Sequence, residues 1–294
     1  MKKTITYIGI SPFNSSPRMG GLRTMLYTYV FTRHNNGLIY LKSDDTNPGS
    51  RIKDNYYSQV KFLNACGLNF ESNELKNPSG SSIFQSENST VYTEYLNKLV
   101  DCGLTSEKDS LVSLDIRAII DYLKLKNITI HDLLRGDINF KADRLGYEYI
   151  PLYSRSKKRF FFHLPTIIDE SIYGTTLLIR GEDKISTAPI HEILKKFFLL
   201  EKQDYLHLPL LLDKSTNKRI KSDNYLVSEM VKKYPTPVVV AYLLLSGYRS
   251  RRFKYVSLSE FTEDFNYHKL KKQSGKFYEE DLIKISEKYR KLIK

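Results

Sequence analysis

The stretch Ile5-Thr6-Tyr7-Ile8-Gly9-Ile10 is a short, mainly apolar run that stops at Ser11-Pro12. A loop rich in Ser and Pro follows, and Gly20-Gly21 leads into a run with apolar residues at helical spacing. This order predicts a buried strand, a glycine-bearing turn and a helix. Gly37 to Leu41 is a second predicted strand and Tyr56 to Leu63 a second helix, so the β-α-β-α order predicts a parallel sheet with helices on its faces.

The rest of the chain continues this alternation after an interruption. Between residues 128 and 153, strand-like runs are broken by charged turns, as expected for an insertion between two halves of a sheet. The sheet is predicted to resume with strands at 160–164 and 176–179, followed by a helix at 189–200. From residue 225 onward the pattern is helical.

Composition indicates a folded, basic protein. The chain has 294 residues, of which 41% are hydrophobic and 13% aromatic, enough to bury a large core. With 46 Lys and Arg residues against 33 Asp and Glu residues, the formal net charge is +13, which attracts polyanions. The natural partner is RNA or the phosphates of a nucleotide, and the alternative is a basic surface that only aids solubility.

The cysteines and the hydropathy pattern exclude several classes of protein. Cys66 and Cys102 lie far apart without Cys-x-x-Cys or Cys/His spacing, so neither a disulfide framework nor a zinc site is predicted. Residues 4–8 are too short and too polar for the apolar part of a signal peptide, and no later run approaches a membrane span. We therefore expect a cytoplasmic protein without zinc and without membrane contact.

Four motifs follow one another at the spacing of one nucleotide-activating family. They are Ser11-Pro12 with Gly20-Gly21, Asp44-Asp45-Thr46, Ile179-Arg180-Gly181-Glu182-Asp183, and Lys218-Arg219-Ile220-Lys221-Ser222-Asp223-Asn224. Together they resemble the catalytic half of a glutamyl-tRNA synthetase, a class I aminoacyl-tRNA synthetase. The resemblance implies an α/β fold with a Rossmann-like parallel sheet, an inserted small α+β acceptor-type subdomain and a C-terminal helical stem-contact-like region.

The resemblance also implies a division of the chain into four segments. Residues 1–105 correspond to the first half of the catalytic domain and 106–155 to a shortened connective insertion. Residues 156–224 correspond to the second half with its lysine loop, and 225–294 to the helical stem-contact-like region. Because an anticodon-binding domain is not expected, recognition of tRNA would rest on the acceptor arm alone, and another RNA or no RNA are the alternatives.

The phosphates of ATP are expected at the first strand-to-helix turn and at the lysine loop. Gly20 and Gly21 would let backbone amides approach a phosphate at a helix N-terminus, although a plain turn is the alternative for such a pair. Arg18 stands where the family's HIGH motif has its first histidine, and a permanent cation there could contact phosphate. In the resemblance to the KMSKS-type loop, Lys221, with Lys218, is the candidate cation over the departing pyrophosphate, and the alternative is a solvated loop lysine.

The resemblance assigns further groups to the amino acid and the nucleoside. Ser11 and Asp44 fall where the family holds the α-amino group, and Arg180 falls where a carboxylate of the amino acid is bound. Glu182 falls where the family faces the adenosine or its ribose, and the alternative is a solvated turn.

Three positions that contact the glutamate side chain in the family are changed in this chain. Tyr7 replaces an arginine, Phe162 a tyrosine and Thr166 an asparagine. A pocket without this cation and these two hydrogen-bonding groups would desolvate a γ-carboxylate without compensation, at a cost of several kcal/mol. We therefore expect a neutral amino acid, bulkier or less polar than glutamate, as the substrate.

The motifs together predict an enzyme that uses ATP with Mg²⁺ to join an amino acid to AMP. The acyl group would then pass to the acceptor arm of a tRNA or to another acceptor. Such catalysis depends on positioning and charge stabilisation, so neither a covalent nucleophile nor a general-base triad is required. Two alternatives stay open: a catalytically inactive paralogue that binds RNA or a protein, and an adenylating enzyme of a specialised pathway.

Overall fold

The computed structural model describes residues 3–71, 76–220, 225–249 and 255–294 and, within them, twelve strands and ten α-helices. The strands are β1 (Ile5–Ile10), β2 (Leu38–Ser43), β3 (Thr105–Lys108), β4 (Leu111–Asp115), β5 (Asn127–Asp132), β6 (Gly136–Lys141), β7 (Tyr149–Ser154), β8 (Arg159–Phe160), β9 (Leu177–Gly181), β10 (Asp204–Leu208), β11 (Leu211–Leu212) and β12 (Gly275–Lys276). The helices are α1 (Met19–His34), α2 (Lys53–Ala65), α3 (Ser89–Asp101), α4 (Ile116–Tyr122), α5 (His163–Ile172), α6 (Ala188–Phe197), α7 (Val227–Lys233), α8 (Thr236–Ser246), α9 (Leu258–Glu263) and α10 (Glu279–Leu292). The predicted order β1-α1-β2-α2 is confirmed.

The central layer of the fold consists mainly of parallel strands. β1 pairs with β2 in parallel, with Ile5 opposite Leu38 and Ile10 opposite Ser43. β9 pairs with β10 and β10 with β5, also in parallel, and β6 adds an antiparallel edge. The two groups meet where the Thr176 backbone N–H donates to the Ile5 carbonyl at 2.9 Å. Because parallel strands end at one edge, the segments after β1, β2, β9 and β10 converge there.

Helix α1 covers the first strand pair because its apolar residues recur on one face. Leu22, Leu26 and Val30 are buried in one cluster with Ile8 and Ile39. Helix α8, in the helical part of the chain after residue 225, is apolar on all sides and is buried in the same cluster. The helical C-terminal part therefore shares its core with the first half of the chain.

A second sheet carries its own hydrophobic cluster. β4 pairs antiparallel with β3 and β7, and β7 with β8. The apolar face of this sheet packs with α3, α5 and α6. β5 and β6, which fall within the predicted insertion at residues 106–155, pair with β10 and each other and so join the central layer. The four segment boundaries implied by the family resemblance stay predictions.

The strand predicted at residues 160–164 is wrong. β8 ends at Phe160, and α5 begins at His163. A short apolar run does not distinguish a buried strand from the first turn of a buried helix, because both place apolar side chains inside. In α5 the residues Leu164, Ile167 and Ile168 recur at helical spacing and are buried in the second cluster, which decides in favour of the helix.

The two cysteines lie in different surroundings, although burial was expected for both. Cys66 is buried and Cys102 exposed, and both are free thiols. Burial raises the pKa of the Cys66 thiol to about 12. None of the helices that the structure describes is long and apolar enough to cross a membrane.

We expect the substitution Gly37→Ala to destabilise the fold at the start of β2. A Cβ atom at this position would lie 2.4 Å from the backbone oxygen of Thr4, which cannot move without disturbing the β1–β2 pair. The free energy of unfolding, measured by urea titration, should fall by about 1–3 kcal/mol. Gly275→Ala is the control, because its nearest neighbour, the Ser246 oxygen, lies at an ordinary 3.4 Å. Equal stability of Gly37→Ala and the unaltered protein would contradict this prediction.

Candidate active site

A cavity of about 390 Å³ opens at the carboxyl ends of the parallel strands β1, β2, β9 and β10. It is lined by most of the site residues predicted from the sequence, namely Tyr7, Ser11, Gly20, Gly21, Asp44, Phe162, Thr166 and Arg180. Open parallel sheets bind ligands at this edge, because the loops after the strands converge there. The fold thus brings side chains as far apart in sequence as Tyr7 and Arg180, 173 positions, into contact.

Gly20 and Gly21 lie within the first turn of α1, which begins at Met19, and this glycine turn presents open backbone to the cavity. A Cβ atom on Gly20 or Gly21 would have no atom within 4 Å, so space is free beside this backbone. The first turn of α1 holds no acidic residue, and the positive end of the helix dipole is therefore not offset. This arrangement suits a phosphate group. Arg18, the residue before α1, is exposed and is not among the described residues that line the cavity.

The start of the lysine loop lies on the same cavity as the glycine turn. Arg219 and Ile220 line the cavity, and an Arg219 guanidinium nitrogen lies 2.5 Å from a carboxylate oxygen of Asp183, which also lines it. Lys218 is exposed, does not line the cavity, and its backbone oxygen accepts from the Asp213 N–H at 2.8 Å. Lys221 lies outside the described residues. The described part of the loop therefore ends at Ile220, on the cavity that holds Gly20 and Gly21.

Arg180 is held at the opposite end of the cavity by groups of the protein. One guanidinium nitrogen donates to Glu170, in a very short contact, and to the Tyr7 hydroxyl at 3.1 Å. The other nitrogen lies 3.3 Å from Nδ1 of His191. Burial by itself would lower the pKa of Arg180, but Glu170 and Tyr7 outweigh it, so the pKa is raised. Arg180 is therefore cationic and already paired before any substrate arrives.

Glu170 in turn connects Arg180 to a buried lysine. Its carboxylate is inaccessible to solvent, and the second oxygen lies 2.9 Å from Nζ of Lys195. Lys195 also lies 3.3 Å from Glu192, which accepts a hydrogen bond from Tyr205 at 2.7 Å. Burial alone would raise the pKa of Glu170, but Lys195 and Arg180 lower it, so the carboxylate is ionised.

A second buried ion cluster centres on Lys42, at the end of β2. Its ammonium lies 2.7 Å from Asp44 and 3.1 Å from Asp169, and it stands 4.9 Å from the centre of the Tyr7 ring. Asp169 also accepts hydrogen bonds from Gln85 and Tyr92, each at 2.7 Å. Asp44, predicted to hold an α-amino group, is thus positioned at the cavity by a buried lysine.

Sequence reasoning missed the residues that organise this end of the cavity. Lys42, Glu170 and Lys195 are almost inaccessible to solvent, and each pairs with an opposite charge. The one available signal is the placement of charged residues within apolar runs. Lys42 follows an apolar strand, and Asp169-Glu170 interrupts an apolar helix. Such residues are rarely buried unless they are paired.

The wall that would contact a substrate side chain is mainly aromatic and hydroxylic. The ring of Phe162 is 39% exposed, and Nζ of Lys184 stands 5.4 Å from its centre at the mouth. Thr166 is buried, and its hydroxyl has no hydrogen-bond partner within the described part of the chain. Burial raises the pKa of Tyr7 to about 12, so its hydroxyl is neutral. This wall offers hydrogen bonds and apolar contact.

Glu182 is not among the described residues that line the cavity. It accepts hydrogen bonds from the Leu210 N–H at 2.9 Å and from Ser274, and it pairs with Arg135 at 2.7 Å. Burial alone would raise its pKa, but these three contacts lower it. Its predicted contact with the adenosine stays a prediction.

A family model described as tRNA synthetases class I (E and Q), catalytic domain, matches residues 13–111 and 106–284. The chain belongs to this family. The resemblance read from the sequence motifs is confirmed, and the mixed α/β architecture matches the class I synthetase catalytic fold.

Relatives of this synthetase domain include two curated glutamate–tRNA ligases. The one from Methylacidiphilum infernorum is 28% identical over 302 residues, which cover 98% of this chain and 65% of the relative. The one from Chlorobaculum parvum is 23% identical over 319 residues, covering 92% and 63%. The chain therefore spans less than two thirds of the length of these relatives.

The solved structures support the fold. The glutamate–tRNA synthetase from Elizabethkingia anophelis superposes with a TM-score of 0.80 at 17% identity, covering 99% of this chain and 71% of that one. A TM-score of this size at so low an identity means that the backbone arrangement of the synthetase domain is retained while most side chains differ. Within residues 3–71, 76–220, 225–249 and 255–294, no group of three or more His, Cys, Asp or Glu side chains is arranged to hold a metal ion.

We expect His163, beside the cavity, to make stability depend on pH. Burial, Lys184 and Arg180 together lower its pKa from 6.5 to about 4. Between these pH values His163 is protonated in the unfolded chain but not in the folded protein. The free energy of unfolding therefore decreases as pH falls from 6.5 to 4. His163→Gln should reduce this loss of unfolding free energy by about 1–2 kcal/mol in urea titrations at a series of pH values.

His131→Gln serves as the control for this pH dependence. His131 is exposed, and its hydrogen bond to Asp137 raises its pKa, so its contribution is lost as pH rises, not as it falls. Its removal should not reduce the loss of stability in acid. An unchanged acid profile in His163→Gln would show that this ring is not the group that titrates.

Proposed function

We propose that the chain activates an amino acid with ATP and transfers it to a tRNA or to another acceptor. The observation that carries this proposal is the shared cavity. The glycine turn, the beginning of the lysine loop and the predicted amino-acid-binding residues all border it. Membership of the class I synthetase family supports the same reaction class.

The proposed reaction joins the α-carboxylate of the amino acid to the α-phosphorus of ATP. A new C–O–P linkage forms as the bond between the α-phosphorus and the oxygen bridging to the β-phosphorus breaks, and pyrophosphate leaves. The amides of Gly20 and Gly21 would stabilise the phosphates, and Lys221 would stabilise negative charge on the leaving group. Mg²⁺ bound to ATP would neutralise part of the phosphate charge. Because reactants are held in line, no protein nucleophile is needed.

The α-ammonium group of the amino acid would bind at Ser11 and Asp44. Asp44 lines the cavity with its carboxylate beside Lys42, and Ser11 is exposed on the same cavity. Tyr7, Phe162 and Thr166 form the wall for the side chain. Since these three residues supply neither a cation nor a matched set of donors, we propose that glutamate is disfavoured and that a neutral amino acid is activated.

Transfer of the acyl group to RNA is supported by charge. The net charge of +13 and the basic residues at 269–272 favour contact with a phosphate backbone. The acceptor arm of a tRNA is the proposed acceptor, and another RNA or a small molecule is the alternative.

A catalytically inactive paralogue that binds RNA or a protein is the second candidate function. One observation favours it: Arg18 replaces the first histidine of the HIGH motif and is exposed, outside the described lining of the cavity. ATP binding without turnover would fit this alternative.

Two measurements separate these candidates. Calorimetry with ATP tests nucleotide binding, and exchange of radiolabelled pyrophosphate into ATP tests adenylate formation against a panel of amino acids, with and without tRNA. Exchange with a neutral amino acid supports the proposal. Binding of ATP without exchange for any amino acid favours the inactive paralogue, and exchange that depends on L-glutamate alone contradicts the proposed side-chain preference.

We expect Lys221→Ala to lower the exchange rate on the order of 100-fold, because it removes the positive charge assigned to the leaving pyrophosphate. Thermal unfolding should be unchanged, since the proposed role of Lys221 is contact with the nucleotide and not packing in the core. Lys214→Ala is the matched control. Lys214 lies between β11 and the same loop, is exposed, and pairs with Glu280 at 3.2 Å. Exchange that survives in Lys221→Ala would exclude this lysine from the reaction.

A further inference from the structure

The cations at the amino-acid end of the cavity are fully matched by anions of the protein. The ion cluster around Glu170 and the one around Lys42 together contain three cations and four anions. The cations are Lys42, Arg180 and Lys195, and the anions are Asp44, Asp169, Glu170 and Glu192. By formal charge, one negative charge is in excess. The α-ammonium group of a substrate near Asp44 would offset this excess charge locally, while its α-carboxylate would face the ATP.

We infer that Glu170 is a specificity-determining residue, because it neutralises Arg180 from behind the cavity wall and so excludes amino acids with a negative side chain. This inference rests on the proposed amino-acid-binding function and extends it to a residue that the sequence motifs do not mark. The substrate class is an amino acid with an uncharged side chain.

The contacts of Arg180 are the first step of this argument. Its side chain is 12% exposed and lines the cavity, while the Glu170 carboxylate that it contacts is 0% exposed. A substrate cannot displace a carboxylate that is enclosed by the protein and held on its other oxygen by Lys195 at 2.9 Å. A second carboxylate from a substrate would therefore approach a guanidinium whose charge is already compensated.

Lys42, the second cation at the amino-acid end of the cavity, is compensated in the same way. Lys42 is 1% exposed and contacts both Asp44 and Asp169. Between Lys42 and Arg180 stands Tyr7, whose ring faces the ammonium and whose hydroxyl accepts from the guanidinium. The neutral Tyr7 side chain therefore separates Lys42 from Arg180. It occupies the position where the family has the arginine that contacts an acidic substrate side chain.

Three further cations line the cavity within the described part of the chain. Arg23 donates to a backbone carbonyl, and Arg219 pairs with Asp183. Lys184 is the third. It is exposed at the mouth, over the Phe162 ring, and is therefore solvated and screened. The attraction of a solvated lysine at the entrance is too weak to offset the free-energy cost of desolvating a carboxylate deeper in the cavity. The closest test pair of ligands is glutamate and glutamine, which have the same length and differ in side-chain charge.

Equilibrium dialysis with radiolabelled L-glutamate and L-glutamine, at millimolar concentration and with a non-hydrolysable ATP analogue, tests this inference. Glu170→Gln keeps the size of the side chain and removes its charge, and Lys195 retains Glu192 as a partner. We expect glutamate to bind Glu170→Gln on the order of tenfold more tightly, relative to glutamine, than it binds the unaltered protein. Failure of glutamate binding to improve overturns the inference.

Glu192→Gln is the matched control. Glu192 is also a buried carboxylate on Lys195, but its described contacts are with Lys195 and Tyr205 and do not include Arg180. It should leave the glutamate-to-glutamine ratio within about twofold of the unaltered protein. If glutamate binding relative to glutamine improved equally in Glu170→Gln and Glu192→Gln, removal of any buried negative charge would have the same effect. That result would also overturn the assignment to Glu170.

A second variant keeps the inference testable if Glu170→Gln does not fold. Tyr7→Lys adds a positive charge on the cavity wall and should also improve glutamate binding relative to glutamine, and no improvement overturns the inference. Because the readout is binding, a chain that shows no pyrophosphate exchange still gives an answer. Absence of exchange in the unaltered protein would count against the proposed activation reaction and not against the role of Glu170.

Discussion

The buried carboxylate of Glu170 is the contact on which the geometry of the cavity depends. It joins α5 to β9 through Arg180 and to α6 through Lys195. The Tyr7 hydroxyl on β1 lies 3.3 Å from the same carboxylate. An isolated carboxylate in this position would be strongly unfavourable, and two cationic partners make it tolerable. One enclosed side chain therefore fixes where the Arg180 guanidinium stands, although Glu170 is not among the described residues that line the cavity.

The two ends of the cavity differ in the groups that they present to a ligand. At the glycine turn the protein offers backbone and open space, which suits a ligand that brings its own negative charge. At the other end the charges are paired within the protein, so a ligand finds a nearly neutral wall of Tyr7, Phe162 and Thr166. The ion pair of Arg219 with Asp183 lies on the rim and connects the lysine loop to the segment after β9. Such a division suits a charged nucleotide beside an amino acid with an uncharged side chain.

Much of the fold was predictable because the spacing of apolar residues differs between strands and helices. The apolar run of β1 and the helical spacing of Leu22 and Leu26 identify the first strand and helix, and the structure confirms both. The strand predicted at residues 160–164 is wrong because this short apolar run spans the end of β8 and the start of α5, and five residues are too few to show a period. The pairing of β5 with β10 was not predicted either, because it joins residues about seventy positions apart without a local pattern.

The sequence by itself determined the family, the order of the first strands and helices, and the residues that match the family's motifs, because these depend on residue type and spacing. Only the tertiary structure decided that Lys42, Glu170 and Lys195 are buried and paired. From sequence alone, a lysine or a glutamate is expected to be exposed to solvent. It can be buried only where a distant segment supplies an opposite charge. The charge of the cavity is a property of such pairs, so it emerges only when the chain is folded.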